Sequence, residues 1–153
     1  MTIEEIVYTY SNMLYRICLI MLGNEADAQD AVQDTFCKYL ECGKDFADKE
    51  HEKAWLITVA TNHCRDTQRF RLRHPKVDLE KITASYEEPD YSEVLGELIK
   101  LPSSVKSAVY LHYIEGYKLK EVAEMLSISP NAVKKRLQRG RKMLRLKLEG
   151  YNS

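Results

Sequence analysis

The 153-residue chain has no long hydrophobic run, no net charge and no paired cysteine motif. Its most apolar stretch, Met13 to Leu22, is interrupted by Arg16 and falls well short of the roughly 20 residues a helical membrane span needs. That stretch also lacks the basic start and small-residue cleavage site of a signal peptide. Cys18, Cys37, Cys42 and Cys64 form no CxxC pair. Without an export signal, no disulfide scaffold is expected, and a cytoplasmic protein with no direct membrane insertion is expected. His51, His63, His74 and His112 stand in no HExxH or Cys/His ligand spacing. A glycine-rich phosphate loop and a nucleophile elbow are also missing. The chain is therefore expected to carry no catalytic residue, no cofactor and no metal.

The zero formal charge hides a strong asymmetry along the chain. From Lys134 to Lys147 there are Lys134, Lys135, Arg136, Arg139, Arg141, Lys142, Arg145 and Lys147, and no acid. Arg65, Arg69, Arg71, Arg73 and Lys76 form a second cluster that contains only Asp66 as an acid. Between the two clusters, residues 75–93 are acidic, with Asp78, Glu80, Glu87, Glu88, Asp90 and Glu93 against Lys76 and Lys81. Two basic segments separated by an acidic one predict two places where a polyanion docks.

Hydrophobic periodicity predicts an all-α fold in two small helical domains. Ile6, Tyr10, Leu14, Ile17 and Met21 recur at helical steps, and Gly23-Asn24 closes that helix. A second helix is expected from Glu25 to about Glu41, with Ala28, Val32, Phe36, Tyr39 and Leu40 inward. A third runs from about Glu52 to about Arg71, with Leu56, Val59, Ala60 and Cys64 inward. His74-Pro75 stops it, because the residue before proline is pushed out of helical geometry. The expected division is a first domain over 1–74, an acidic linker over 75–92 and a second domain over 93–150. In the second domain, helices are expected near Glu93, over Ser103–Tyr113, over Leu119–Leu126 and from Pro130 to about Leu148.

Lys118 to Arg139 has the pattern of a helix-turn-helix. Val122 and Leu126 share one face, and Ala123 is small where two helices must cross. Ser127-Ile128-Ser129 is a short turn with Ile128 inward. Ser129 is placed to cap the next helix and Pro130 to occupy its first position, where a missing N–H costs nothing. With Val133 and Leu137 inward, a turn of 100° per residue puts Asn131, Lys135, Gln138, Arg139 and Lys142 outward. Ala132, Lys134 and Arg136 flank them. Asn and Gln suit adenine edges, Arg and Lys suit guanine or phosphate.

Two patterns in the first domain are less specific. Asp27, Asp30 and Asp34, with Gln33 beside them, make an acidic stripe; three aspartates on one straight helix do not converge on a metal ion. Trp55, Thr58, Asn62, Arg65 and Arg69 fall roughly along one side of the third helix. An aromatic, polar and basic strip suits single-stranded DNA, through stacking and phosphate contacts.

Taken together, these residues resemble the sigma-70 family, in its short extracytoplasmic-function form. The Asp27–Phe36 stretch is similar to the family's acidic DAED-x-VQ-[ED]-TF motif. Ala54-Trp55-Leu56 through Asn62, Asp66 and Arg69 is similar to the stretch that follows it. Leu101-Pro102, Tyr110 to Tyr113, Glu115-Gly116, Glu121-Val122-Ala123, Val133-Lys134 and Arg136-Leu137 are similar to conserved region 4.

The resemblance implies a promoter-directing subunit of bacterial RNA polymerase, with no enzymatic activity of its own. It implies that Asp30, Gln33, Asp34 and Phe36 bind core polymerase at the β′ clamp helices, or support that binding, with the β subunit as a further partner. It implies that Trp55, Thr58, Asn62, Arg65 and Arg69 open and read the −10 element. It further implies that Asn131, Ala132, Lys134, Lys135, Arg136, Gln138, Arg139 and Lys142 read the −35 element, and that an anti-sigma factor restrains the protein. The pairs Asn131-Ala132 and Lys135-Arg136 stand where the family often has Gly-Thr and Ser-Arg, so the −35 sequence is not specified. The alternative is a helix-turn-helix regulator that binds duplex DNA without polymerase. That reading accounts for Lys118 to Lys147 but leaves the Asp27–Phe36 and Trp55–Arg69 stretches unexplained.

Overall fold

A computed structural model describes residues 2–73, 96–98 and 100–148, with side chains described through 144. The chain divides into two compact units, residues 1–85 and 86–153. Every regular element among the described residues is helical. The linker expected over 75–92 and the helix start expected near Glu93 lie outside the described residues.

The N-terminal unit is built from α1 (Ile3–Leu22), α2 (Glu25–Cys42) and α3 (Lys49–Arg73). Thr2 caps α1, its hydroxyl accepting the Glu5 N–H at 3.2 Å. All five residues of the expected α1 stripe are buried, and the last turn, Leu19 to Leu22, is buried all round. Each such aliphatic side chain contributes about 1.5–3 kcal/mol on burial. Gly23 ends the helix at φ 77°, a left-handed conformation that glycine adopts without steric cost. Asn24 then caps α2 by accepting the Asp27 N–H at 2.8 Å.

On α2 the buried side is Ala28, Ala31, Thr35 and Phe36. Leu40, expected inward, is 62% exposed. Taking Ala28 as zero, Thr35 and Tyr39 lie within about 20° of it and Leu40 about 120° away. Small residues, not the large aliphatic ones, therefore mark the face of closest approach. Thr35 is tolerated there because its hydroxyl donates to the Ala31 carbonyl at 2.7 Å.

The third helix begins earlier than its apolar pattern indicates. Asp48 accepts the His51 N–H at 2.8 Å and so caps the N-terminus. That hydrogen bond, with the His51 ring nitrogen 2.9 Å from the same oxygen, holds the Asp48 carboxyl below the ordinary value, the backbone N–H contributing most.

The C-terminal unit contains α4 (Ser103–Val109), which continues through a widened turn over Tyr110–Ile114, then α5 (Leu119–Leu126) and α6 (Pro130–Leu148). The expected helix over Ser103–Tyr113 forms as one continuous run, widened over its last turn. The Glu115 N–H reaches back five residues to the Tyr110 carbonyl at 3.1 Å, and the Tyr110 hydroxyl donates to Glu115 Oε1 at 2.7 Å. Gly116 follows at φ 80°. Val105, Ala108, Val109, Leu111, Val122, Met125, Leu126, Val133 and Leu137 form the core.

Candidate nucleic-acid and polymerase interfaces

The helix-turn-helix is assembled by local chemistry at each joint. The Lys118 N–H donates to Glu121 Oε1 at 2.9 Å at the start of α5. Ser127 closes α5 in the left-handed region at φ 56°, unusual for a residue with a Cβ. The Ile128 N–H then donates to the Ala123 carbonyl at 3.0 Å, and Ile128 is half-buried. Ser129 then accepts the Ala132 N–H at 3.1 Å, the expected cap, and Pro130 opens α6.

The rotation of α6 is fixed by its buried face. Val133 and Leu137 are buried, and Ala123 of α5 with them. Gly140, which the sequence reading passed over, continues that face. A Cβ at Gly140 would stand 2.4 Å from Val109 Cγ2 and 3.0 Å from Val105 Cγ1. A glycine inside a helix costs about 1 kcal/mol relative to alanine, and here the crowding against Val109 and Val105 supplies the packing reason. With that face inward, Asn131, Lys134, Lys135, Gln138, Arg139 and Lys142 are all exposed, and Ala132 and Arg136 are half-buried at the edges. The structure thus gathers the predicted reading residues onto one cationic, solvent-facing side.

In the N-terminal unit, α3 has an outward face and a face turned to the bundle. Asn62 and Arg69 are exposed, while Trp55, Thr58 and Arg65 are half-buried. The Arg65 guanidinium donates to Asn62 Oδ1, and Arg69 lies 3.6 Å from Asp66. Thr58 turns its hydroxyl to the Ala54 carbonyl at 2.9 Å.

Trp55 belongs to an aromatic cluster. Its ring centroid is 5.7 Å from Phe46 and 6.0 Å from Tyr39, and Tyr39 stacks on Phe46 at 5.9 Å. Tyr39 also donates to the buried Glu52 carboxylate at 2.8 Å. Burial first, then Glu52, push the Tyr39 phenol up to about 12. Phe46 and Tyr39 were missed as neighbours of the strip. An aromatic residue inside a polar loop was the available signal. Arg73 of the second basic cluster is exposed and falls close to the Asn62–Arg69 line at 100° per residue.

The opposite face of α3 grips the bundle. Gln68 Nε2 donates to the Met21 carbonyl at 2.9 Å and Arg71 Nη1 to the Leu22 carbonyl at 2.6 Å. These are terminal carbonyls of α1, which have no partner within their own helix. Arg71 also pairs with Asp27, so that member of the acidic stripe is tied into the fold. His63 stands 2.9 Å from Asp34 and 3.6 Å from Asp30. Lys38 stands 3.1 Å from Asp34. Burial pushes the Asp34 carboxyl up, but hydrogen bonds from His63 and Lys38 outweigh it and hold the group below its ordinary value. Asp30, with its side chain 76% exposed, and the exposed Gln33 face solvent. Phe36 is 8% exposed, so it bears on this surface by holding α2 in place.

Among the described residues no helix is long and apolar enough to cross a membrane.

Family profiles match both units. The profile for sigma-70 region 2 matches residues 6–74, and that for sigma-70 region 4 matches residues 91–144. The chain is similar to the ECF RNA polymerase sigma factor SigW of Bacillus subtilis, 29% identical over 94% of this chain and 87% of the relative. It is 30% identical to RNA polymerase sigma factor SigV of the same organism, over 88% of this chain and 83% of the relative. Among solved structures it is similar in fold to the sigma factor RpoE of Bartonella quintana, solved in complex with the anti-sigma factor NepR. The TM-score is 0.77 at 22% identity, covering 95% of this chain and 96% of that one.

Proposed function

From the premise that this chain belongs to the sigma-70 family, in its extracytoplasmic-function branch, we propose how its surfaces divide the work of a subunit that binds core RNA polymerase and directs transcription initiation at specific promoters. The carrying observation is the separation of faces on α6. Val133, Leu137 and Gly140 are buried, while Asn131, Lys135, Gln138, Arg139 and Lys142 are exposed. A helix held this way presents base-reading amides and phosphate-binding cations to a major groove. Asn131 and Gln138 are assigned to base edges of the −35 element. Lys134, Lys135, Arg139 and Lys142 are assigned to guanine edges or backbone, with Ala132 and Arg136 at the margins.

The α3 strip of Trp55, Thr58, Asn62, Arg65 and Arg69 is assigned to the melted −10 strand. A strand with unstacked bases is bound by rings and cations together, and the strip supplies both. Asp30, Gln33 and Asp34, supported from beneath by Phe36, are assigned to the β′ clamp helices of core polymerase, with the β subunit as a further contact. Chemistry belongs to the polymerase, so the chain acts in the cytoplasm as a non-enzymatic subunit. A partner of the anti-sigma class is proposed from the shared fold with RpoE, which was solved with such a protein.

The test is initiation in vitro. Core bacterial polymerase and fragmented genomic DNA are combined with and without the chain, and transcript 5′ ends are mapped. Discrete new starts that share upstream elements, lost on combined Lys135→Ala and Arg139→Ala substitution, support the assignment. A chain that shifts duplex DNA unaided and produces no new starts refutes it.

A further inference from the structure

We infer that His63 is a positioning residue for the polymerase-facing acidic surface: from α3 it holds the Asp34 carboxylate across the helix interface, so that α2 presents a pre-ordered Asp34 beside the solvent-facing Asp30. This deepens the docking role proposed for that surface and rests on it.

The geometry is specific. His63 Nδ1 lies 2.9 Å from Asp34 Oδ2 and Nε2 lies 3.6 Å from Asp30 Oδ2, with the His63 side chain 20% exposed. A carboxylate accepts only, so the nitrogen facing Asp34 carries a proton. Lys38, the other partner of Asp34, stands on the same helix one turn away and its side chain is half exposed. It cannot tie α2 to α3. His63 is the contact that does so at this point, and its short, largely buried side chain loses little freedom in the process. Asp30 and Gln33 remain turned to solvent.

The adjacent residue, Asn62, stands 100° round the helix and is exposed on the strip assigned to the −10 strand. One turn of α3 therefore orders the acidic surface on one side and meets nucleic acid on the other. None of this follows from a motif: His63 has no ligand spacing, and its partners lie 29 and 33 positions away in sequence.

A side chain that is ordered before binding does not lose that freedom at the interface, so prior ordering of Asp34 is read as a roughly three- to ten-fold gain in affinity. The experiment uses the full chain and core polymerase, with affinity measured by competition against a fluorescently labelled wild-type chain and thermal unfolding followed in parallel. Replacing His63 by leucine keeps the bulk and removes both ring nitrogens. Replacing it by asparagine keeps a donor near the position of Nδ1. His63→Leu is expected to weaken core binding roughly three- to ten-fold, and His63→Asn to recover most of that loss. If His63→Leu binds core as the wild type does, or if both variants lose affinity equally, the inference is overturned. Asp30→Lys separates this from the parent reading. If it leaves core affinity unchanged, the docking assignment itself fails; if it weakens binding while His63→Leu does not, only the role of His63 fails.

Discussion

Gly140→Ala puts a single methyl where α6 lies against α4. The added Cβ would stand 2.4 Å from Val109 Cγ2 and 3.0 Å from Val105 Cγ1, against an ordinary carbon–carbon contact of about 3.5–4.0 Å. More than about 1 Å must be found. Valine is β-branched and stiff at χ1, and Val105 and Val109 are both buried, so neither side chain has room to swing away. Overpacking of this kind costs about 1–3 kcal/mol. Against it stands the better helix propensity of alanine, about 0.8–1.0 kcal/mol. With an overlap this large the cost falls in the upper half of its range, which leaves a net loss of about 1–2 kcal/mol. Hydrogen exchange of peptides spanning residues 103–144 reads this as a roughly five- to thirty-fold loss of protection. The companion variant is Val109→Ala, which opens the space. In that background Gly140→Ala should become neutral or stabilising, and the non-additivity measures the contact itself. If Gly140→Ala alone raises protection by the full propensity gain, the close approach does not exist in solution and the reasoning fails.

Ser129→Ala should cost about 1 kcal/mol, because the Ala132 N–H loses its capping acceptor; urea unfolding followed by circular dichroism measures it. Tyr39→Phe removes the donor to the buried Glu52 carboxylate and should cost about 1–3 kcal/mol at neutral pH. Because folding raises the Tyr39 phenol from 10.0 to about 12, the stability it adds is full below pH 10 and is lost as pH rises towards 12. The wild type should therefore weaken over that window more steeply than Tyr39→Phe. Asp34 is lowered from 3.8, so its contribution is present above that value and lost as pH falls through the lower folded value. Asp34→Asn should accordingly flatten the acid limb of the stability curve, and an unchanged limb would contradict the His63 and Lys38 contacts.

Periodicity carried the helices well because it reports which residues one helix turns inward. It located α5 and α6 to their ends, where Ser129 and Pro130 add local chemistry that is visible in sequence. The same signal misplaced Leu40. A hydrophobic residue counts towards a stripe in the pattern, whereas the packing of α2 is decided by Ala28, Ala31 and Thr35, which let neighbouring helices approach. Contacts between elements left almost no trace. The His63–Asp34 and Arg71–Asp27 pairs, the Tyr39–Phe46–Trp55 cluster and the approach of Gly140 to Val109 each join residues of different segments. No spacing rule connects them. The outward face of α6 was legible because its inward face was; the acidic stripe was legible as charge, but not as charge already partly committed within the fold.

The grip of α3 on the end of α1 has a mechanical meaning. Helix ends fray, and α3 carries Arg65, Arg69 and Arg73 on its outer side towards its own end. Gln68 and Arg71 alternate with them and are fastened to the Met21 and Leu22 carbonyls. A nucleic-acid strand pulling on the outer arginines would load a helix that is fastened at two points on its far side. On the −10 assignment proposed above, work done in parting the strands would go into the nucleic acid and not into unwinding α3.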